Sequence, residues 1–306
     1  MRVAVTGAAG RLGQVLVPAL AAAEDIQSVT AIDRRPVAAA AARTIPLQSD
    51  LADLGAEHLA GHDSLIHLAF QLMGGQGGSR RRDRDWVRAQ NVELSRHVFQ
   101  AAAAAGVSQI VFLSSAAVYG PWPDSPRPLT ERSPARPRFP YAEDKVATEQ
   151  ALLAVAEQYP DLTTCIFRPP AIVGPHAHPL LRRVARSRVY PGGVEVPVQI
   201  LWEDDAADAV VRAVTRQAEG IFNLGAEPVW SMRRMALHRR RWGIPVPPGL
   251  IRALHPLAWR LTRHAGDPGW VQGLDGALHM DCSSAREQLG WTPRVSTPEC
   301  LERLRR

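Results

Sequence analysis

Residues 2–13 read "RVAVTGAAGRLG". A short strand-like run ends at Thr6, and glycines follow at Gly7, Gly10 and Gly13. From there "LGQVLVPALAAA" (12–23) repeats its apolar residues at helical spacing. Strand, glycine turn and helix thus follow one another without a spacer. Glycines in that place permit a tight turn and let backbone N–H groups approach a pyrophosphate at the helix start. The triplet alone is a weak signal; its strand–turn–helix context is what gives it meaning.

The same alternation continues outward. "SVTAI" (28–32), "TIPL" (44–47), "SLIHLAF" (64–70), "QIVFLSS" (109–115) and "LTTCIFR" (162–168) read as strands. Helices are expected from about Asp85 to Ala105 and around 141–158. Continuously apolar strands separated by helices imply a parallel sheet covered on both faces. The fold class is therefore α/β, a doubly wound (Rossmann) sheet. Residues 116–140 are rich in Pro and Arg and read as a long irregular loop. Beyond them "DDAADAVVRAVTRQA" (204–218) reads as a helix and "GIFNLG" (220–225) as a late strand. Residues 1–168 are read as an NAD(P)-binding domain. Residues 169–306 form a smaller, mainly helical substrate lobe, with about 204–225 returning to the sheet.

Bulk properties exclude several classes. The chain has 306 residues and a formal net charge of +6, with no apolar run long enough for a membrane span. Its N-terminus enters a strand directly, and a cytoplasmic protein is expected. Cys165, Cys282 and Cys300 are far apart, so neither a disulfide framework nor a zinc site is suggested. The arginines lie near carboxylates and match no nucleic-acid motif. "SRRRDRD" (79–85), after "GGQGG", and "RRMALHRRRWG" (233–243) are read as solvated, not as nucleic-acid or membrane surfaces. His176 and His178 lack further ligands nearby in sequence, and no metal is expected.

Asp33 ends the second strand, where a carboxylate accepts hydrogen bonds from ribose hydroxyls. That favours NAD; Arg11, Arg34 and Arg35 keep NADP open, because a phosphate recruits such side chains. A further signal is "YAEDK" (141–145). Lys145 is the one lysine of an arginine-rich chain, four residues after one of four tyrosines. On a helix Tyr141 and Lys145 share a face. An ammonium beside a phenol stabilises the phenolate and so suits it to proton transfer. Arginine's planar fork does not replace a compact ammonium there. "FLSS" (112–115) ends a strand with Ser114 and Ser115 at the sheet edge where such folds bind ligands.

Together these motifs resemble the extended short-chain dehydrogenase/reductase family, also called the NAD-dependent epimerase/dehydratase family. The resemblance runs nearly end to end, through "TGAAGRLG", "SDLAD", "LIHLAF", "QNVELSRHVFQAA", "SSAAVYG", "YAEDK", "FRPPAIVGP", "EDDAADAVV" and "LGWTP". It implies a catalytic Ser115, Tyr141 and Lys145. Around the cofactor it implies Gly7, Gly10, Arg11, Leu12, Gly13, Asp33 and Arg34, then Asp50 and Leu51 near the adenine. Leu68, Ala69 and Phe70 would lie along the cofactor, with Asn91, and Pro170 near the nicotinamide. It also implies a homodimer paired through the 85–105 and 141–158 helices. Two departures stand out. Members acting on nucleotide-diphosphate sugars typically carry Asn where this chain has Ala171, and often Arg where it has Val198. The expected activity is therefore an NAD(P)-dependent oxidoreductase interconverting a hydroxyl and a ketone on a small or medium organic substrate. The alternative is a nucleotide-sugar epimerase or dehydratase that retains NAD.

Overall fold

The computed structural model describes residues 1–37, 42–72, 83–261, 268–274, 276 and 278–306. The "GGQGG" stretch and residues 79–82 lie outside them. A seven-stranded parallel sheet forms the centre. Its strands are β1 (Arg2–Thr6), β2 (Ser28–Asp33), β3 (Thr44–Gln48), β4 (Ser64–His67), β5 (Gln109–Leu113), β6 (Thr163–Arg168) and, last, Gly220–Asn223. The spatial order is Gly220–Asn223, β6, β5, β4, β1, β2, β3. The central strands are buried on both faces, which is why they read as unbroken apolar runs: Val3, Ala4, Val5, Leu65, Ile66 and Ile110 expose nothing.

Each face has its own core. On one side α1 (Gly13–Ala22) packs beside the helix Glu203–Thr215, burying Leu16, Leu20, Val210 and Val214 with Trp291. On the other, α2 (Ala56–Leu59), α4 (Leu94–Ala104) and α5 (Pro140–Ala156) cover the sheet with Leu59, Val98, Phe99 and Leu152. A third helix, α3 (Arg84–Arg88), runs into α4 through a π-helical turn, Ala89–Glu93.

Two strands stop earlier than the sequence suggests. The β4–β5 pairing ends at His67↔Phe112 and the β5–β6 pairing at Leu113↔Phe167, so Leu68–Phe70 and Ser114–Ser115 leave the sheet at its carboxyl edge. Neighbouring β1 continues into the glycine turn there, where the strand order reverses. This is the crevice in which such sheets bind ligands.

The remainder is built from short helices and two-stranded ladders around Val173, Ile200, Trp202, Trp230 and Leu301. Asp205 holds it to the sheet side, accepting N–H donors from Arg294 (3.0 Å) and Val295 (3.0 Å). Among the described residues no helix is long and apolar enough to cross a membrane.

Candidate functional site

The glycine turn is built by close backbone approach. Gly7 has φ +74°, and a Cβ there would lie 2.6 Å from the Ala69 nitrogen. A Cβ on Gly13 would lie 2.3 Å from the Ala8 carbonyl oxygen. Only glycine fits at either place. Ala9 N–H donates to Asp33 Oδ2 (3.1 Å), tying the turn to the end of β2.

Beside this turn lies a cleft of about 290 Å³. It brings together Gly7, Gly10, Asp33, Arg34, Asp50, Leu51, Leu68, Ala69 and Phe70 from the sequence reading, joined by Arg35, Ser49, Gln71, Gln90 and Leu94. Side-chain-free backbone, a strand-end carboxylate and apolar walls fit a dinucleotide. Asp33 is buried, and its Oδ1 accepts from Arg35 N–H (2.9 Å) and Arg35 Nε (3.3 Å). Arg35 is thereby held against the Asp33 carboxylate.

Other expected residues stand elsewhere. Arg11 donates to the carbonyls of His176 (3.0 Å) and Ala177 (2.9 Å). Leu12 and Gly13 open α1, with Leu12 against the core. Asn91 is buried: its Oδ1 accepts from Gln71 N–H (2.7 Å), and its Nδ2 donates to the Gln71 carbonyl (3.0 Å) and to Asp144 Oδ2 (3.1 Å). It therefore holds a residue of the cleft wall. Pro170 follows Pro169, whose carbonyl accepts from Ala116 N–H (2.8 Å). His176 Nδ1 lies 2.8 Å from Glu203 Oε1, and His178 Nδ1 accepts from Leu180 N–H.

Tyr141 sits in the first turn of α5, opened by Pro140 after an extended Phe139. Its ring stacks on Phe139 (6.2 Å) and meets Phe70 edge-on (5.6 Å). Burial raises the Tyr141 pKa, and a side-chain hydrogen bond with Ser115 acts the other way. Ser115 Oγ also accepts from Ala117 N–H (3.2 Å) at the start of a 3-10 turn.

One turn on, Lys145 is buried. Its Nζ donates to the Leu113 carbonyl (2.6 Å) and lies 3.6 Å from the centre of the Phe70 ring and 4.7 Å from that of Phe112. Burial lowers its pKa to about 7, outweighing Glu149 and Asp144, which raise it. The expected lowering of the tyrosine pKa by Lys145 is not seen. The ammonium is 5.9 Å from the Tyr141 ring centre, turned to a backbone carbonyl and packed on Phe70.

A buried polar frame holds this pair, and the sequence reading missed it. Glu149 accepts from Ser114 Oγ and, in a fork, from Arg168 Nε (3.1 Å) and Nη2 (2.6 Å). Its one legible sign is spacing, because Tyr141, Lys145 and Glu149 stand four residues apart along α5. Asp144, on another side of α5, accepts from Arg84 Nη1 (2.9 Å) and Nη2 (2.7 Å) and from Arg88 (3.3 Å). Arg84, expected in a solvated loop, thus anchors α3 to α5. His67 bridges Thr6 (2.7 Å) and Ser95 (2.8 Å); burial, with a smaller effect of Lys145, lowers its pKa to about 3, so it is neutral.

A sequence profile of the NAD dependent epimerase/dehydratase family matches residues 3–225. The chain belongs to this family. A UDP-glucose 4-epimerase of Corynebacterium glutamicum is 28% identical over 96% of this chain and 91% of its own. A 3-diazoavenalumate denitrifying reductase of a Streptomyces species is 29% identical over 96% of both. The chain also matches an uncharacterized Mycobacterium tuberculosis protein at 28% identity, over 78% of this chain but only 64% of the relative's length. In three dimensions it resembles MoeE5 in complex with UDP-glucuronic acid and NAD (TM-score 0.75, 23% identity, 99% and 97% of the two chains). A UDP-glucose 4-epimerase of Thermotoga maritima gives TM-score 0.72 at 20% identity, over 99% and 97%. These two likenesses speak for the fold.

Proposed function

We propose that this enzyme is an NAD(P)-dependent oxidoreductase interconverting a hydroxyl and a ketone on a small or medium organic substrate. The observation that carries the proposal is the packing of Tyr141 and, one helical turn away, of buried Lys145 on Phe70 of the cleft wall. Bound nicotinamide would supply the hydride acceptor or donor. Ser115 would orient the substrate oxygen. Tyr141 would give that oxygen a proton, or take one from it. Lys145 would hold the nicotinamide ribose. We place this activity in the cytoplasm, on a small-molecule substrate.

The buried Arg168 supports a substrate without a nucleotide. Its guanidinium is forked onto Glu149 and bonded to Tyr119 (3.1 Å), so it does not reach for a diphosphate. A second reading rests on the relatives. UDP-glucose 4-epimerases align along 96% and 98% of this chain, and such a reaction needs the same three residues. Incubation with alcohols, ketones and nucleotide sugars, followed by nicotinamide absorbance, separates the two. Net change with an alcohol or ketone is expected. Sugar conversion without net cofactor turnover would establish the second reading instead.

Asp33→Ser is expected to weaken NAD binding on the order of tenfold, the value of a charge-assisted hydrogen bond to ribose, and to improve NADP by freeing Arg35. Cofactor titrations check this; unchanged affinities would remove Asp33 from recognition.

The proposal also includes a homodimer through α4 and α5. The outer face of α4 is polar (Glu93, Arg96, His97, Gln100), which leaves Leu153 of α5 and Trp86 of α3, each 42% exposed, as apolar anchors. Leu153→Asp is expected to shift a dimer to monomer by light scattering. A wild-type monomer at micromolar concentration would rule the pairing out.

A further inference from the structure

The helix Pro248–Leu261 packs mainly on the turn Pro268–Leu274 and turns an apolar face outward. Leu250, Leu254 and Leu257 fall at i, i+4 and i+7, yet they are 48%, 54% and 52% exposed. Such spacing ordinarily marks the face that enters a core. The chain leading into the helix adds Trp242 (57%) and Ile244 (48%). Ile244 pairs across a short parallel ladder with Val189, also 48% exposed. The exposed apolar side chains are therefore grouped, not scattered singly.

Along this stretch of chain the charge has one sign, although Glu302 from the last helix meets Arg239 (3.0 Å) and Glu195 lies 3.8 Å from Arg233. Between Glu227 and Asp267 there is no carboxylate side chain, while eight arginines occur, three of them consecutive at Arg239–Arg241. The Arg239 side chain is 73% exposed, and the Arg188 guanidinium lies 4.3 Å over the Trp242 ring. An exposed leucine face that follows an arginine-rich stretch with an exposed tryptophan has the composition of a helix lying in the headgroup layer of an anionic bilayer. A second copy is a poorer occupant. Two-fold pairing of this face would set each cationic stretch against its own image.

We propose that this surface docks the enzyme on anionic lipid, the leucines entering the acyl boundary and the arginines holding lipid phosphates. The contact is peripheral and stands apart from the proposed chemistry. Residues 233–243 read as solvated when their arginines are considered alone; the exposed leucines are what the structure adds.

The test is sedimentation of the full chain with vesicles of phosphatidylcholine, with and without phosphatidylglycerol. Binding is expected only to the anionic vesicles, and weaker at high salt. It should fall at least about tenfold in the triple variant Leu250→Ser/Leu254→Ser/Leu257→Ser and again in Arg239→Ser/Arg241→Ser, both with wild-type circular dichroism. Should the leucine variant misfold, the arginine variant decides. No pelleting with anionic vesicles overturns the proposal. So does binding that is indifferent to the leucines, which is diffuse charge attraction. Loss of self-association in the leucine variant without vesicle binding overturns it too, because the face then serves a second copy.

Discussion

Tyr141→Phe should cut turnover by about 10²–10⁴-fold while leaving cofactor affinity nearly unchanged. The ring keeps its stacking on Phe139 and its edge contact with Phe70, so the cleft wall persists. What disappears is the hydroxyl that, in the proposed mechanism, moves the proton. One lost hydrogen bond costs roughly 1 kcal/mol of stability, which does not unfold a protein of this size. Steady-state rates on the substrate found by the panel, with cofactor titration beside them, check the split. A variant turning over near the wild-type rate would take Tyr141 out of the proton transfer.

Lys145 should separate activity from stability. Lys145→Arg is expected to lose on the order of 10²-fold in rate, because the helper of the acid/base group is displaced. The larger planar group must enter a space bounded by Phe70, Phe112 and the Leu113 carbonyl, an overpacking that costs about 1–3 kcal/mol. Lys145→Met should also be inactive but more stable in acid. The reason is the sign of the linkage. The folded-state pKa is lowered to about 7 from an ordinary 10.5. Between those values the unfolded chain holds the proton more readily than the folded one, so wild-type stability rises with pH across that window. Below about pH 7 the full burial cost of the ammonium is present. Methionine removes it, for a gain of a few kcal/mol at about pH 6 that shrinks toward pH 10. Thermal melts at both ends of the window measure the difference. A methionine variant no more stable in acid than in base would show that Lys145 is not strained by burial.

What the sequence discloses here is what lies close along the chain. The glycine turn, the strand-end Asp33 and the Tyr141–Lys145 spacing are local patterns, and the crevice assembles around them. The partners of Lys145 were hidden because Phe70 reaches it from the segment after β4 and Leu113 from the end of β5. Arg11 illustrates the converse. Its place in the glycine motif suggests a phosphate, yet carbonyls at His176 and Ala177, far off in sequence, hold it. Arg84 belongs to the stretch 79–85 that reads as solvated, and only the fold reveals that a buried Asp144 faces it. The strands of the sheet were legible from their apolar runs, but their ends were not, because pairing stops where a neighbour turns away.

The strand Gly220–Asn223 has a consequence for how new specificities arise in such enzymes. It pairs with β6 only after the chain has run through residues 169–219 outside that edge. Gln109 of β5 reaches across to the carbonyls of Ala213 (3.1 Å) and Ala218 (3.0 Å). The lobe is therefore not a detachable cassette. A chimera joined just after residue 168 would bring a foreign strand to a native edge and would put foreign backbone in place of the two carbonyls that Gln109 uses. Grafting a lobe from a relative requires that the edge strand and its β6 neighbour travel together. Gene-level exchange is thus hindered, and adaptation to new substrates is channelled into single replacements on a frame that stays whole.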